Sequence, residues 1–443
     1  MSEFSPEVFS THSRMNNGEL EIGGVKASAL AAEFGTPLFV IDEADFFDRA
    51  TAWKEALESA FGDRAGTVYY AGKSFLCKEI TRWLSVVGVG LDVCTGGELA
   101  VAVATNFPMN KVQVHGNNKS EDEIRTAITA GVGTIVIDSF IEIERVAAIA
   151  HELGKVQRVF LRLTPGVEAH THEFIATAHE DVKFGFSIAS GAAWDAIARV
   201  QELESVELVG FHSHIGSQIF VSDGFAAAAS KLIGLLARYR DEFKVELPEL
   251  DLGGGYGIAY LPGQTSLNPF SVMKELAEIV KTGCAEHNLR LPRISIEPGR
   301  AIVGPTTTTL YTVGTTKDVT LEEGGIRRYV SVDGGMSDNI RPALYDAEYH
   351  AIIANRQSAA PTINTRVVGK HCESGDIVIR AIELANDCGA GDLLAIPATG
   401  AYGRSMASNY NHVPRPAVIA VFNGKARVIV RRESHEDLLS LDI

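Results

Sequence analysis

Four short stretches of this chain carry residue types that can do covalent or acid–base chemistry. Tyr69-Tyr-Ala-Gly-Lys73 sets a lysine directly after an apolar run. A lysine in a half-buried, partly desolvated place is the usual Schiff-base former, whereas an ordinary exposed lysine has no such role. Asp251-Leu-Gly-Gly-Gly-Tyr-Gly257 places three consecutive glycines, Gly253, Gly254 and Gly255, after another apolar run. Bare backbone N–H groups can close there on a small anion, with the positive N-terminus of a following helix behind them, although a tight turn uses the same residues. Glu297-Pro-Gly-Arg300 offers a carboxylate that can accept a proton or hold a cation, beside an arginine able to meet a phosphate or a carboxylate. A surface ion pair is its plainer reading. Gly369-Lys-His-Cys372-Glu-Ser-Gly-Asp376 holds a thiol that in a dry site stays neutral and can donate a proton, or that is simply a buried inert cysteine.

Chemistry of this kind needs elements that bring the stretches together. Short, apolar, β-rich runs recur at Val68–Ala71, Gly90–Val93, Val112–His115, Thr134–Ile137, Val159–Leu163, Leu208–His212, Glu249–Leu252 and Ile294–Glu297. Helical patterns such as Ser120–Ala130, Ile141–Leu153 and Phe225–Arg238 lie between them. Continuous apolar strands alternating with amphipathic helices mean buried parallel strands, and eight such units predict a (β/α)8 TIM barrel of the α/β class. Lys73, Thr95, His115, Asp138, Thr164, His214, Gly253 and Pro298 come just past the eight runs, where a barrel builds its active site. Beyond about residue 300 the texture turns to Val- and Thr-rich alternation, which predicts a C-terminal antiparallel β-domain. A ninth strand-like run, Pro37–Asp42, precedes the barrel and is expected to join that β-domain from the other end of the chain. The expected divisions are 1–45 for this N-terminal segment, 46–304 for the barrel and 305–443 for the β-domain.

Bulk properties narrow the class. The 443 residues are 46% hydrophobic and carry a formal net charge of −16, with a pI near 5.3. An acidic surface repels phosphate backbones, so nucleic acid is not an expected partner. No apolar run is long enough to span a bilayer, and the polar first residues lack the order of a signal peptide, so a cytoplasmic enzyme is expected. Five cysteines without CxxC spacing argue against a disulfide framework or a zinc site. Glu168-Ala-His170-Thr-His172-Glu173 has an H-x-H spacing but no third ligand pattern nearby. It is expected to be a loop at the catalytic face, continuing through His179-Glu180-Asp181, that can act as a lid, and no metal is expected. Cys94 is expected to pack.

The motifs around Lys73, Gly90-Leu-Asp92-Val-Cys-Thr-Gly-Gly-Glu98, His115-Gly-Asn-Asn-Lys119, His212-Ser-His214-Ile-Gly-Ser217, Asp251 to Gly255, Glu297 to Arg300 and Cys372 to Asp376 occur in that order. Together they closely resemble the alanine-racemase-fold (fold type III) decarboxylases that use pyridoxal 5'-phosphate (PLP), over the chain from about residue 20 to its end. That resemblance implies a barrel plus a β-domain. It implies that Lys73 carries PLP as a Schiff base, that His214 stacks on the ring, and that Glu297 faces the pyridine nitrogen. Ser217, Gly253, Gly254 and Gly255 would hold the phosphate, Tyr402 would reach it from the β-domain, and Asp92, Gly299 and Arg300 would add cofactor contacts. It further implies a homodimer with shared sites, in which Cys372 and Glu373 enter the neighbouring subunit's site, Cys372 as proton donor. A carboxylate at the pyridine nitrogen strengthens the electron sink, and racemases of this fold are expected to carry an arginine there.

Arg300, Arg341, Tyr345, Glu373 and Tyr402 are the substrate contacts that the resemblance implies. Arginine forks bind carboxylates bidentately, which suits a substrate with a distal carboxylate. The expected reaction is therefore decarboxylation of meso-2,6-diaminopimelate to L-lysine and carbon dioxide, at the D-configured centre. Decarboxylation of ornithine, arginine or carboxynorspermidine is the alternative, and a non-catalytic PLP-binding relative would be expected to have lost Lys73 or Cys372. Arg404 departs from the resemblance, since an aromatic residue is expected at that position.

Overall fold

The structure, a computed structural model, describes residues 4–166, 183–220, 223–322 and 324–443. The chain forms two compact units, one made of Arg49–Gly257 and Leu267–Gly299, the other of Met1–Asp48, Ile258–Ser266 and Arg300–Ile443.

The first unit contains a closed barrel of eight parallel strands: Ala65–Ala71, Gly90–Val93, Val112–Val114, Thr134–Ile137, Gln157–Thr164, Val206–His212, Glu249–Asp251 and Arg293–Ile296. The eighth strand pairs back to the first at Ile294↔Ala65 and Ile296↔Val68. These are the eight runs expected from the sequence, with ends moved by a few residues. The second and fourth strands are buried along their whole length, which explains why they are apolar apart from Asp92 and Thr134. Local signals set the helix ends. Ser120 and Glu123 form a capping box for Glu121–Ala130, and the helix stops at Gly131, whose φ of 79° is the left-handed conformation glycine tolerates. Thr95 and Ser139 cap Gly96–Ala104 and Phe140–Glu152 with their hydroxyls alone, which accept the N–H groups of Glu98 and Glu142. His115 and Glu297, read above as strand residues, lie one position past the third and eighth strands, at the barrel's C-terminal end.

The second unit carries a sheet of mostly antiparallel strands, as expected, with two parallel pairs within it. Its central strand, Thr307–Thr320, pairs antiparallel with Leu38–Asp42, Ile326–Val332 and Leu393–Ile396. Ala417–Phe422, however, runs parallel to Leu38–Asp42, and Ile326–Val332 runs parallel to Thr362–Val368. Neither parallel pair is joined by a tight turn, so hairpin geometry does not dictate its direction. Three further short strands, Ser13–Asn16, Glu19–Ile22 and Val25–Lys26, form an antiparallel sheet of their own. Leu20, Ile22, Leu38, Val40, Leu310 and Ile419 make one buried core, and truncating such a residue to alanine costs about 2–5 kcal/mol. Ala259, from the excursion Ile258–Ser266, joins this core. Among the described residues, no helix is long and apolar enough to cross a membrane.

Candidate active site

In the barrel unit, the predicted residues gather past the strand ends. Lys73 sits in a one-turn helix, Gly72–Ser74, immediately after the first strand. It is exposed, not half-buried as expected, because the chain turns at the barrel mouth straight after the buried Tyr70 and Ala71. Burial pushes His214 well below the usual imidazole range, and the nearby cations Lys73 and Arg162 push it the same way. Its neutral ring accepts the Gly254 N–H at Nδ1, 3.2 Å away. The chain segment carrying Ser217 is fixed against the glycine run by the Ile219 N–H, which donates to the Gly255 carbonyl at 2.9 Å. Gly253 and Gly255 have φ of 69° and 106°. A Cβ at Gly254 would stand 2.2 Å from the Glu297 carbonyl oxygen. The loop is bare because neighbouring backbone fills the space of any side chain. Gly299 is equally confined, 2.7 Å from the Ala71 Cβ by the same construction.

Glu297 is the centre of the polar interior. Its Oε1 lies 2.9 Å from His115 Nε2 and 3.2 Å from His212 Nε2, and all three side chains are buried. Burial opposes ionisation of Glu297, but the facing imidazoles, His115 first, outweigh it and hold the carboxyl well below its ordinary range. Burial likewise disfavours the His115 cation, and Asp92 and Glu297 outweigh that and raise it. His212 is pushed down to about 4 by burial and stays neutral. Asp92 is buried at the second strand, where burial pushes its carboxyl up. His115, His212 and Glu297 bring three ligand-type atoms within 4.8 Å of one another, but these atoms are turned on each other as an ion pair with a flanking imidazole. Cys94 places its Sγ 3.8 Å from Asp92 Oδ1, and burial pushes its thiol far up, so it stays neutral beside the site.

The second unit holds the remaining predicted residues. Arg300 and Arg341 are buried, and each directs Nη1 at the Tyr260 hydroxyl, 2.5 Å and 3.1 Å away. Arg341 also donates to the Tyr349 hydroxyl. Burial would raise the Tyr260 phenol, but the two guanidiniums outweigh it and lower it. Tyr402 has a φ of 63°, and its ring lies under the Arg300 guanidinium at 4.8 Å. Tyr345 ends the short helix Arg341–Tyr345 and is half-buried. The phenols that meet Arg341 are Tyr260 and Tyr349, neither of which was singled out in the sequence. Tyr260 lies outside every motif noted above, and Tyr349 had only its place near Arg341 to mark it. Cys372 and Glu373 are exposed, so the thiol is not in the dry setting expected for it within its own chain. Asp376 holds their loop by accepting the N–H groups of His371 and Met336 at 2.8 Å and 2.7 Å. Arg404 begins a one-turn helix, Arg404–Met406, and nothing in the structure explains the departure at this position. Glu168 to Glu173 and His179 to Asp181 lie outside the described residues.

A family model for the pyridoxal-binding domain of pyridoxal-dependent decarboxylases matches residues 43–304. The chain is 54% identical to the diaminopimelate decarboxylase of Mycobacterium tuberculosis over 430 residues, covering 96% of this chain and 95% of that one. It is 47% identical to the enzyme of the same name from Bacillus subtilis, covering 97% of each. The crystal structure of diaminopimelate decarboxylase from M. jannaschii, in complex with L-lysine, superposes with a TM-score of 0.89 at 32% identity over 98% of each chain. The residues present fit the cofactor. The glycine run is a cradle that any Cβ would fill, and an ionised carboxylate held by a cationic imidazole suits a protonated pyridine nitrogen. On its sequence, its barrel and this set of residues, the chain belongs to the diaminopimelate decarboxylase family of pyridoxal-dependent decarboxylases.

Proposed function

We propose that the protein decarboxylates meso-2,6-diaminopimelate to L-lysine and carbon dioxide, the closing step of lysine biosynthesis, with PLP as cofactor. When bound, the cofactor supplies a conjugated ring that accepts the electron pair left at Cα as carbon dioxide departs. Lys73 holds the cofactor covalently, His214 packs its neutral imidazole on the ring, and Gly253 to Gly255 with Ser217 bind the phosphate. Asp92, Gly299, Arg300 and Tyr402 complete the cofactor contacts. Glu297, ionised against His115, holds a proton at the pyridine nitrogen, which strengthens the pull on those electrons. Cys372 returns a proton to Cα.

One observation carries the choice of substrate: two buried guanidiniums, Arg300 and Arg341, share the Tyr260 hydroxyl. Two fixed arginine forks suit a distal carboxylate, and a substrate whose far end is only a cation would be repelled. Tyr345, Tyr402 and Glu373 complete the substrate contacts, Glu373 toward the distal amine. The exposure of Cys372 and Glu373 supports a homodimer in which each subunit lends this loop to the other's site. Five free cysteines fit a reducing cytoplasm.

The test is carbon dioxide release by the PLP-loaded protein from meso-diaminopimelate, ornithine, arginine and lysine. Release from diaminopimelate alone, with lysine as product, is expected. Release from ornithine or arginine instead would overturn the assignment of the two arginines. Arg341→Ala is expected to raise KM for diaminopimelate about a hundredfold, the cost of leaving a charged partner unpaired, while PLP affinity holds. Equal loss of both affinities would make Arg341 structural.

A further inference from the structure

Gln113 stands in the middle of the third barrel strand, Val112–Val114, flanked by valines and wholly buried. An amide in such a strand needs partners for two donors and an acceptor. Thr134, on the fourth strand, donates its hydroxyl to Gln113 Oε1 at 3.1 Å. That bond orients the amide and turns its NH2 toward two carboxylates. Nε2 lies 2.9 Å from Asp251 Oδ2 and 3.0 Å from Glu297 Oε1, so two hydrogens meet two acid oxygens. His115 Nε2 is also 2.9 Å from Gln113 Nε2, and its own hydrogen is spent on Glu297. Asp251 then passes the connection on, since its Oδ1 accepts the N–H of Gly253 at 2.8 Å, the first glycine of the cradle.

We propose that Gln113 is a positioning residue for the decarboxylation, clamping Glu297 and Asp251 on one amide nitrogen and so coupling the acid that faces the pyridine nitrogen to the loop that holds the phosphate. The inference rests on the PLP reading of the site, but not on which amino acid is the substrate. An amide suits this place better than a charged side chain. A further carboxylate would repel Glu297, Asp251 and Asp92, and a cation would compete with His115 for Glu297. The clamp sits among several titrating groups. Asp92, His115, His212 and Asp251 face Glu297, while Glu297, His115, Tyr69 and Tyr256 face Asp251. Burial and Glu297 push the Asp251 carboxyl well up, so without the amide between them the two acids would contest one proton.

The experiment compares wild type, Gln113→Leu and Thr134→Val as PLP-loaded proteins. It reads kcat, KM, PLP affinity and the pH dependence of the cofactor's absorbance. Gln113→Leu is expected to lower kcat about ten- to hundredfold, the value of hydrogen bonds to charged groups, with KM moved by less than about threefold. It is also expected to weaken PLP binding and to give the absorbance a pH transition displaced from that of wild type. Thr134→Val, which removes only the orienting hydroxyl, is expected to shift the same readouts in the same direction by a smaller factor. A Gln113→Leu protein with wild-type kcat and an unmoved absorbance transition sinks the proposal. If Gln113→Leu does not fold, Thr134→Val decides alone, and no change in its absorbance transition or PLP affinity overturns it. Failure of wild type to bind PLP would overturn the functional reading itself, and a different substrate would leave these cofactor readouts standing.

Discussion

Mixing two inactive proteins, Lys73→Ala and Cys372→Ala, recovers activity if each active site draws on two chains. In a random one-to-one mixture of a two-fold dimer, half of the dimers are hybrids and each hybrid rebuilds one of its two sites, so about a quarter of wild-type activity is expected. Alone, Lys73→Ala loses the covalent hold on the cofactor, and with it the absorbance of the bound form as well as turnover. Cys372→Ala keeps the cofactor and loses roughly a hundred- to ten-thousandfold in kcat, the usual worth of a positioned proton donor. These different signatures show that each chain is inactive for its own reason. Mixtures that never exceed the sum of the two proteins, under conditions where subunits demonstrably exchange, would refute the shared site and leave Cys372 an exposed thiol on its own chain.

Glu297→Gln is expected to lower kcat about a hundred- to thousandfold, the scale of removing one preorganised electrostatic partner, while PLP still binds. The buried cluster around it predicts a pH signature as well. Glu297 lies well below its ordinary pKa when folded, so its contribution to stability is present above about pH 4.3 and is lost as pH falls through the folded value. His115 is raised, so its contribution is fully present below about pH 6.5 and declines as pH rises through the folded value. Wild type should therefore lose stability from this pair on both sides of that window. Glu297→Gln removes the acid arm outright and weakens the alkaline arm, leaving Asp92 and Asp251 to favour the His115 cation. Urea unfolding across the pH range checks this, with unchanged profiles counting against the ion pair.

Much of the barrel was legible in the chain. Parallel strands buried on both faces are predominantly apolar, and the helices between them carry caps such as Ser120 with Glu123. Lys73, the glycine run and Glu297 announced themselves because each stands immediately past such a strand, where a barrel exposes its catalytic end. The sheet of the second unit was legible as strands but not as pairings. Strand direction across a long connection is set by packing partners, so the parallel pairing of Ala417–Phe422 with Leu38–Asp42 has no local signature.

The same division runs through the site. Residue type and place along the chain marked Lys73, Glu297, Arg300 and Cys372 as candidates for chemistry, and the family resemblance added His214 and Arg341. The folded chain decided what surrounds them. Gln113 meets Glu297 across 184 positions of sequence, and Arg341 meets Tyr260 across 81. No periodicity encodes such distances. They are created when the eighth strand closes on the first and when Ile258–Ser266 leaves the barrel unit for the other. By itself the sequence determined the barrel's strands and which residues stand at their ends. Only the tertiary structure decided that Glu297 is ionised against His115, that an amide joins it to Asp251, and that two arginines share one phenol, because charge state and hydrogen-bond geometry depend on burial and on neighbours brought together from distant parts of the chain.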